Sequence, residues 1–424
     1  MRIPDVSETQ RIVALARRAR ARGEQLCLAT VVRVEGSAYR KPGARMLVTS
    51  SGERVGTISG GCLESEVSRK IWWLTANGSR IERYASFADE DGGTPYGLGC
   101  GGAVSLLLEQ GEPALAVLDA LGRVLTARQP AVVITALGLD ATEDRQLGTV
   151  AVLALRDGIG RSAIDVHHRK PGRCALGRNA GPVLGAAEAV FAQQRSVWLD
   201  GELAEIPSRR QEAEPAYFLE YLAPPPAITI FGAGDDAQPI VELAHTLGWR
   251  VTVADGRAHL ARRERFSLAD EVRVLDYADP ALRSVCGMAR DDAPGSALSS
   301  TGLAESAGLP CDDLAVILTH SFEQDRALLT ALLPRKLRYL GILGPRHRTG
   351  RLIEDVAPAI GLSVAECFAR LHSPVGLDLG AGDPAAVALS IVAEIQAGLH
   401  DRQVQVSRIL PDEPVAAVPE DQIA

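Results

Sequence analysis

Residues 227–248, AITIFGAGDDAQPIVELAHTLG, constrain the fold of this 424-residue chain more than any other stretch. AITIF is an apolar run of the kind found in strands buried on both faces, and it leads straight into a glycine turn. AQPIVELAHT then places its apolar residues at helical spacing, and Gly248 stops it. Strand, tight glycine turn and helix in that order make the first part of a parallel crossover unit. Gly232 permits the turn, Gly234 leaves backbone amides open to a diphosphate, and Ala237 lets the helix pack closely on the strand. Asp255 ends the next apolar run, RVTVAD, where a carboxylate can accept from a ribose 2′-hydroxyl.

The rest of the second half keeps this rhythm. EVRVLD, LAVILTH and LRYLGILG read as third, fourth and fifth strands. Between the last two, SFEQDRALLTALLP reads as a helix with Ser321 at its N-cap and Pro334 as its stop. This alternation predicts an α/β fold, a Rossmann-like doubly wound parallel sheet, over residues 228–400. Residues 290–310 are small, polar and rich in Pro and Gly, and are expected to form a mobile insertion; 401–424 are expected to be a tail. The triple proline Pro224–Pro226 can continue neither a helix nor a central strand, so 223–227 reads as a stiff linker. Before it, 1–222 is expected to be a mixed α/β domain. Its elements are a helix over 9–22, the strand QLCLATVVRVEG, and the hairpin ARMLVTSSGERVGTIS with Ser51 and Gly52 near its turn. The helix ESEVSRKIWWLTANG follows, stopped by Gly78, and then the strand-like runs AVSLLLE, PAVVITALG and TVAVLAL. Residues 159–185 follow no regular pattern.

Composition narrows the function classes. With 45 basic and 53 acidic residues the net charge is −8, which argues against a general nucleic-acid binder. No apolar run approaches the ~18 residues of a membrane span, and arginines break the N-terminal pattern where a signal peptide would be continuous. Seven scattered cysteines without a CxxC pair do not build a disulfide framework and fit a reducing cytoplasm.

Two cysteines stand apart. In GTISGGCLESEV, Cys62 follows Gly60 and Gly61 and opens a helix whose amides favour the thiolate. Cys100 in YGLGCGGAV is flanked by glycines in the same way. Each can be a core residue, but a glycine-flanked pair points to ligands for a soft metal or a thiophilic cofactor, with Cys62 the first candidate for metal contact. A structural zinc site is not expected, because His167 and His168 fall in the irregular segment. GSAYRKPGARM gathers Tyr39, Arg40, Lys41 and Arg45 around two glycines and a proline. It suits a phosphate-bearing ligand, an exposed basic loop being the alternative. His320 falls at the carboxyl end of the fourth strand, on the rim where open sheets bind ligands; it could move protons, contact a phosphate, or bond to backbone. Asp235 and Asp236 inside the turn would repel the phosphates of NAD or NADP, or else cap the following helix. Arg346, His347, Arg348 and Arg351 start the last crossover helix, an arrangement explained by a bound anion or by a solvated patch.

Taken in order, ATVVRVEGSAYRKPGARMLV, GTISGGCLE, YGLGCGG, ITIFGAGDDA, VILTHSFEQD, LGILGPRHRTGRL and HSPVGLDLGAGDPAAVALSIVAEI resemble the XdhC/CoxI family. The resemblance covers most of the chain except about 155–220, 290–310 and the residues after 400. It implies an accessory protein that binds the molybdenum cofactor (molybdopterin or its cytosine dinucleotide form) and protects it during sulfuration. Delivery would be to an apo molybdenum hydroxylase such as xanthine dehydrogenase or carbon monoxide dehydrogenase. It associates Cys62 with the cofactor, matches Cys100 to the second glycine-rich motif, and implies a cysteine desulfurase-type sulfurase as partner and a homodimer. A cofactor chaperone rather than an enzyme is therefore expected, since the chain lacks iron–sulfur cysteine sets and the length for a molybdopterin domain. The rival expectation is an NAD(P)-dependent oxidoreductase using GAGDDA and His320.

Overall fold

A computed structural model gives the structure of the chain and describes residues 7–61, 63–85, 94–95, 102–137, 148–155, 162–165, 180–200, 215–277, 313–335, 337–380 and 382–400. The chain divides between Pro224 and Pro225 into two compact units. Cys62, Cys100, His167, His168, the 290–310 insertion and the 401–424 tail lie outside the described residues. No described helix is long and apolar enough to cross a membrane.

The first unit runs α1 (Glu8–Ala21), β1 (Leu26–Glu35), β2 (Arg45–Thr49), β3 (Arg54–Gly56), α2 (Glu64–Leu74), β4 (Arg80–Ala85), β5 (Thr94–Pro95) and β6 (Ala103–Gln110). It continues with α3 (Glu112–Ala127), β7 (Ala131–Ala136), β8 (Gly148–Leu155), β9 (Ser162–Asp165), α4 (Ala180–Gln193), β10 (Val197–Asp200) and β11 (Pro215–Leu222). One sheet has the order β3-β2-β1-β6-β4-β5 and a second has β10-β11-β7-β8-β9. The period of two along β1 decides what each face buries. Leu26 and Leu28 join a core with α1 and α3, while Cys27, Ala29 and Val31 join another with α2. The same alternation on β7 sends Ala131 and Val133 toward α3, and Val132 and Ile134 toward α4. Helix α3 is thus covered by both sheets.

Several features of this unit differ from expectation, among them β9 and the start of α4, which give regular structure to parts of 159–185. Helix α2 ends at Leu74, before Gly78, with the Thr75 hydroxyl on the Ile71 carbonyl at 2.7 Å. Helix α3 was not expected. It is buried at eight positions spread around its circumference, so the one-sided stripe that marks a surface helix is absent. PAYFLEYL, not expected as an element, is the inner strand β11, paired antiparallel with β7 and β10.

The second unit matches the reading closely. It runs β12 (Ala227–Phe231), α5 (Ala237–Thr246), β13 (Arg250–Asp255), β14 (Glu271–Val274), β15 (Leu314–Ile317), α6 (Phe322–Leu332), β16 (Tyr339–Ile342), α7 (Arg346–Ile360), α8 (Val364–Ala369) and α9 (Pro384–Leu399). Its strands are all parallel in the order β14-β13-β12-β15-β16, the doubly wound arrangement, with the switch point between β12 and β15. Ile228 and Ile230 face a core with α5 and α9, and Phe231 faces one with α6 and α7. Ser321 caps α6, Gly248 sits in the left-handed region after α5, and Asp383 caps α9 through the amides of Ala385 and Ala386.

Candidate functional site

In the first unit Gly60 and Gly102 both border the segment that leaves β1. A side chain on Gly102 would run into the carbonyl oxygens of Ser37 and Glu35, at 2.3 and 2.6 Å, so the last residue of the second motif has to be glycine. On the other side, a methyl placed on Gly60 would touch the Cβ and Cγ of Tyr39 at 3.7 Å. Gly60 and Gly102 are thus brought to one segment, residues 35–39.

The glycine pair before Cys62 is organised by Glu64, which in the sequence looks like an ordinary helix residue. Its buried carboxylate accepts from the backbone amides of Ile58 (3.0 Å), Ser59 (3.0 Å), Gly60 (3.2 Å) and Gly61 (2.9 Å) and from the Ser59 hydroxyl (2.8 Å). The Ser59 Oγ in turn accepts from the Leu63 amide at 2.8 Å. Four successive amides point to one place only if the backbone visits positive φ, as Gly60 and Gly61 do at 90° and 124°. Burial works to raise the Glu64 pKa, yet the bonds from Ser59, Ile58 and their neighbours hold it below the ordinary carboxylate value. Its position two residues after the cysteine, at the first turn of a helix, was the available signal.

The cations of the basic loop have separate fates. Tyr39 and Lys41 are exposed. Arg40 pairs with Glu8, whose other oxygen accepts from the Thr57 amide and hydroxyl at 2.9 Å each. Arg45 corrects the expectation. It is buried, bonds Glu220 of β11 through both terminal nitrogens, and donates to the Gly43 carbonyl, so its charge is neutralised inside the protein. The loop from Tyr39 to Arg45 borders a cleft of about 450 Å³ together with Glu8, Thr9, Ile12 and Leu121. The described cysteines, Cys27 and Cys367, are buried. Burial pushes the Cys27 thiol up to about 11 and raises that of Cys367. Among the described residues no group of His, Cys, Asp and Glu could hold a metal ion.

In the second unit the strand ends assemble the rim. Gly232 has φ 127°, and a side chain there would collide with the Leu318 carbonyl at 2.4 Å, which ties the glycine turn to the end of β15. Asp255 is fully buried. Its oxygens accept from the Ala233 amide (2.7 Å), the Arg257 amide (2.8 Å) and the Arg257 guanidinium (2.8 and 3.0 Å). Burial works against its charge, but Arg257 and these amides keep its pKa below the ordinary aspartate value. The carboxylate expected to read a ribose is therefore engaged in bracing the turn, and Arg257 stands at its outer side.

The two turn aspartates do not cap α5 with their side chains, so the capping alternative does not hold. Asp235 pairs with Arg265 at 2.7 Å, and Arg265 also donates to the Ala233 carbonyl at 2.6 Å. Asp236 pairs with His320 Nε2 at 2.8 Å. His320 is exposed on the rim, in the left-handed region at φ 59°. Of the cations opening α7, Arg348 pairs with buried Asp325 at 2.6 Å, and Asp325 also takes the Thr319 hydroxyl.

Comparison with known proteins follows the same division. The XdhC Rossmann domain model matches residues 228–395, and the XdhC and CoxI family model matches 19–85. A Bacillus subtilis protein named as a probable subunit of xanthine dehydrogenase is 28% identical over 378 residues, spanning 88% of this chain and 92% of that protein. The molybdenum cofactor insertion chaperone PaoD of Escherichia coli is 33% identical over 113 residues, 26% of this chain and 35% of PaoD. A crystal structure from Bacillus halodurans, described as a xanthine dehydrogenase, superposes with a TM-score of 0.63 at 26% identity, covering 94% of this chain and 97% of the other.

Proposed function

Because the chain belongs to the XdhC/CoxI family, we propose that it binds the molybdenum cofactor, shields it during sulfuration and delivers it to an apo molybdenum hydroxylase of the xanthine dehydrogenase or carbon monoxide dehydrogenase type. The observation that carries this reading is that one segment meets both glycines, Tyr39 against Gly60 and the Glu35 and Ser37 carbonyls against Gly102. Similarity to a molybdenum cofactor insertion chaperone over part of the chain supports it.

The cofactor is cargo here, and the exposed groups of the loop suit it. Lys41 offers a mobile ammonium to a phosphate, on the pterin or on a cytosine dinucleotide form, and the Tyr39 ring offers a face to a flat heterocycle. Cys62 and Cys100 would be the soft ligands for molybdenum or its sulfur. A cysteine desulfurase-type sulfurase supplies that sulfur, and the protein acts in the cytoplasm as a homodimer.

Delivery is tested by incubating the chain, purified from cells grown with molybdate, with an apo-hydroxylase of this type. The expected result is recovery of hydroxylase activity together with loss of molybdenum from the chain. An apo-hydroxylase that stays inactive while a free cofactor preparation activates it would contradict the proposal. The rival reading as an NAD(P)-dependent oxidoreductase requires a diphosphate on the GAGDDA turn, which Asp236 opposes.

A further inference from the structure

A dinucleotide bound to a Rossmann turn rests its diphosphate against the second glycine, whose missing side chain leaves the amides accessible. In this chain that space is filled. A methyl on Gly234 would lie 2.3 Å from Oδ1 of Asp236, so the carboxylate folds back over the glycine where a phosphate would sit. The other oxygen, Oδ2, is held by His320 Nε2 at 2.8 Å from the facing strand end. The neighbouring groups are engaged as well: Asp235 with Arg265, and Asp255 with Arg257 and the Ala233 amide. The turn as it stands does not fit NAD or NADP.

We propose that Asp236 is an internal stand-in for a phosphate, latched by His320, and that this pair decides what the Rossmann unit binds. The negative charge that the start of α5 favours comes from the protein itself. A nucleoside diphosphate enters only by displacing the carboxylate from Gly234, and until it does so it meets a like charge at contact range. His320 has a residue-specific part in this. Its left-handed backbone, uncommon outside glycine, holds the ring on the Asp236 side of the rim. The inference concerns the second unit alone, so its failure leaves the proposed cofactor role untouched.

The test is calorimetric titration of the full chain with ADP and with NAD. Asp236→Ser removes the carboxylate from the seat and is expected to tighten ADP binding by about tenfold or more, the loss of a close like charge. Asp235→Ala removes an equal charge from the same turn without emptying the seat, and should change affinity less than about threefold. His320→Gln leaves Asp236 in place but weakens its latch, and is expected to tighten ADP binding in the same direction as Asp236→Ser. It keeps the proposal open to refutation if the serine variant fails to fold. Equal affinities of wild type and Asp236→Ser or, where that variant is unfolded, of wild type and His320→Gln would overturn the proposal. So would a gain from Asp235→Ala as large as that from Asp236→Ser, which would reduce the effect to bulk charge.

Discussion

Glu64 gathers four amides and a hydroxyl onto one carboxylate and so shapes the loop that leads into Cys62. A glutamine cannot reproduce this, because its NH₂ would face backbone N–H groups. Hydrogen bonds to a charged acceptor contribute about 1.5–3 kcal/mol each in favourable cases, so Glu64→Gln should destabilise the first unit by about 2 kcal/mol at neutral pH. The dependence on pH follows from the depressed pKa. A carboxylate held below its unfolded value contributes fully above that value, about 4.3, and the contribution is lost as pH falls through the lower folded value. Urea unfolding of wild type and Glu64→Gln should therefore differ at pH 7 and converge in acid; a gap independent of pH would contradict this role. The glycines and cysteines of this loop were legible as a motif. Glu64 was not, since a glutamate in the first turn of a helix looks like ordinary dipole complementarity.

Between elements, the Arg45–Glu220 pair joins β2 of one sheet to β11 of the other within the first unit. Removing one member of a buried pair costs about 3–5 kcal/mol, because the other is left charged and unpaired, whereas replacing both by apolar residues is often neutral. Arg45→Met should thus lower the stability of this unit by that amount, and Arg45→Met with Glu220→Leu should recover most of it in a denaturant titration. If instead Arg45→Met leaves stability intact and impairs only cofactor retention, Arg45 belongs to the ligand after all. The elements of the second unit were readable because a parallel sheet buries both faces, and its apolar runs, capped helices and glycine stops all fall in order. In the first unit the signal was weaker. Helix α3 is buried on most sides, and β11 pairs with strands distant in sequence, which no local pattern reveals.

On the scale of the whole molecule, the chain joins a first unit whose basic loop borders Gly60 and Gly102 to a Rossmann unit whose turn is occupied by its own carboxylate. The proposed cargo role therefore rests on the glycine-flanked cysteines of the sequence and not on its louder motif, the GAGDDA turn. The central claim is that the first unit holds a molybdenum cofactor through Cys62. It is tested most directly by measuring molybdenum and pterin in wild type and Cys62→Ala, both purified from molybdate-rich cells and both shown to be folded. The account predicts that molybdenum and pterin co-purify with wild type in equal amounts and are lost from Cys62→Ala. Unchanged molybdenum and pterin content in Cys62→Ala, or none in either protein, would contradict it.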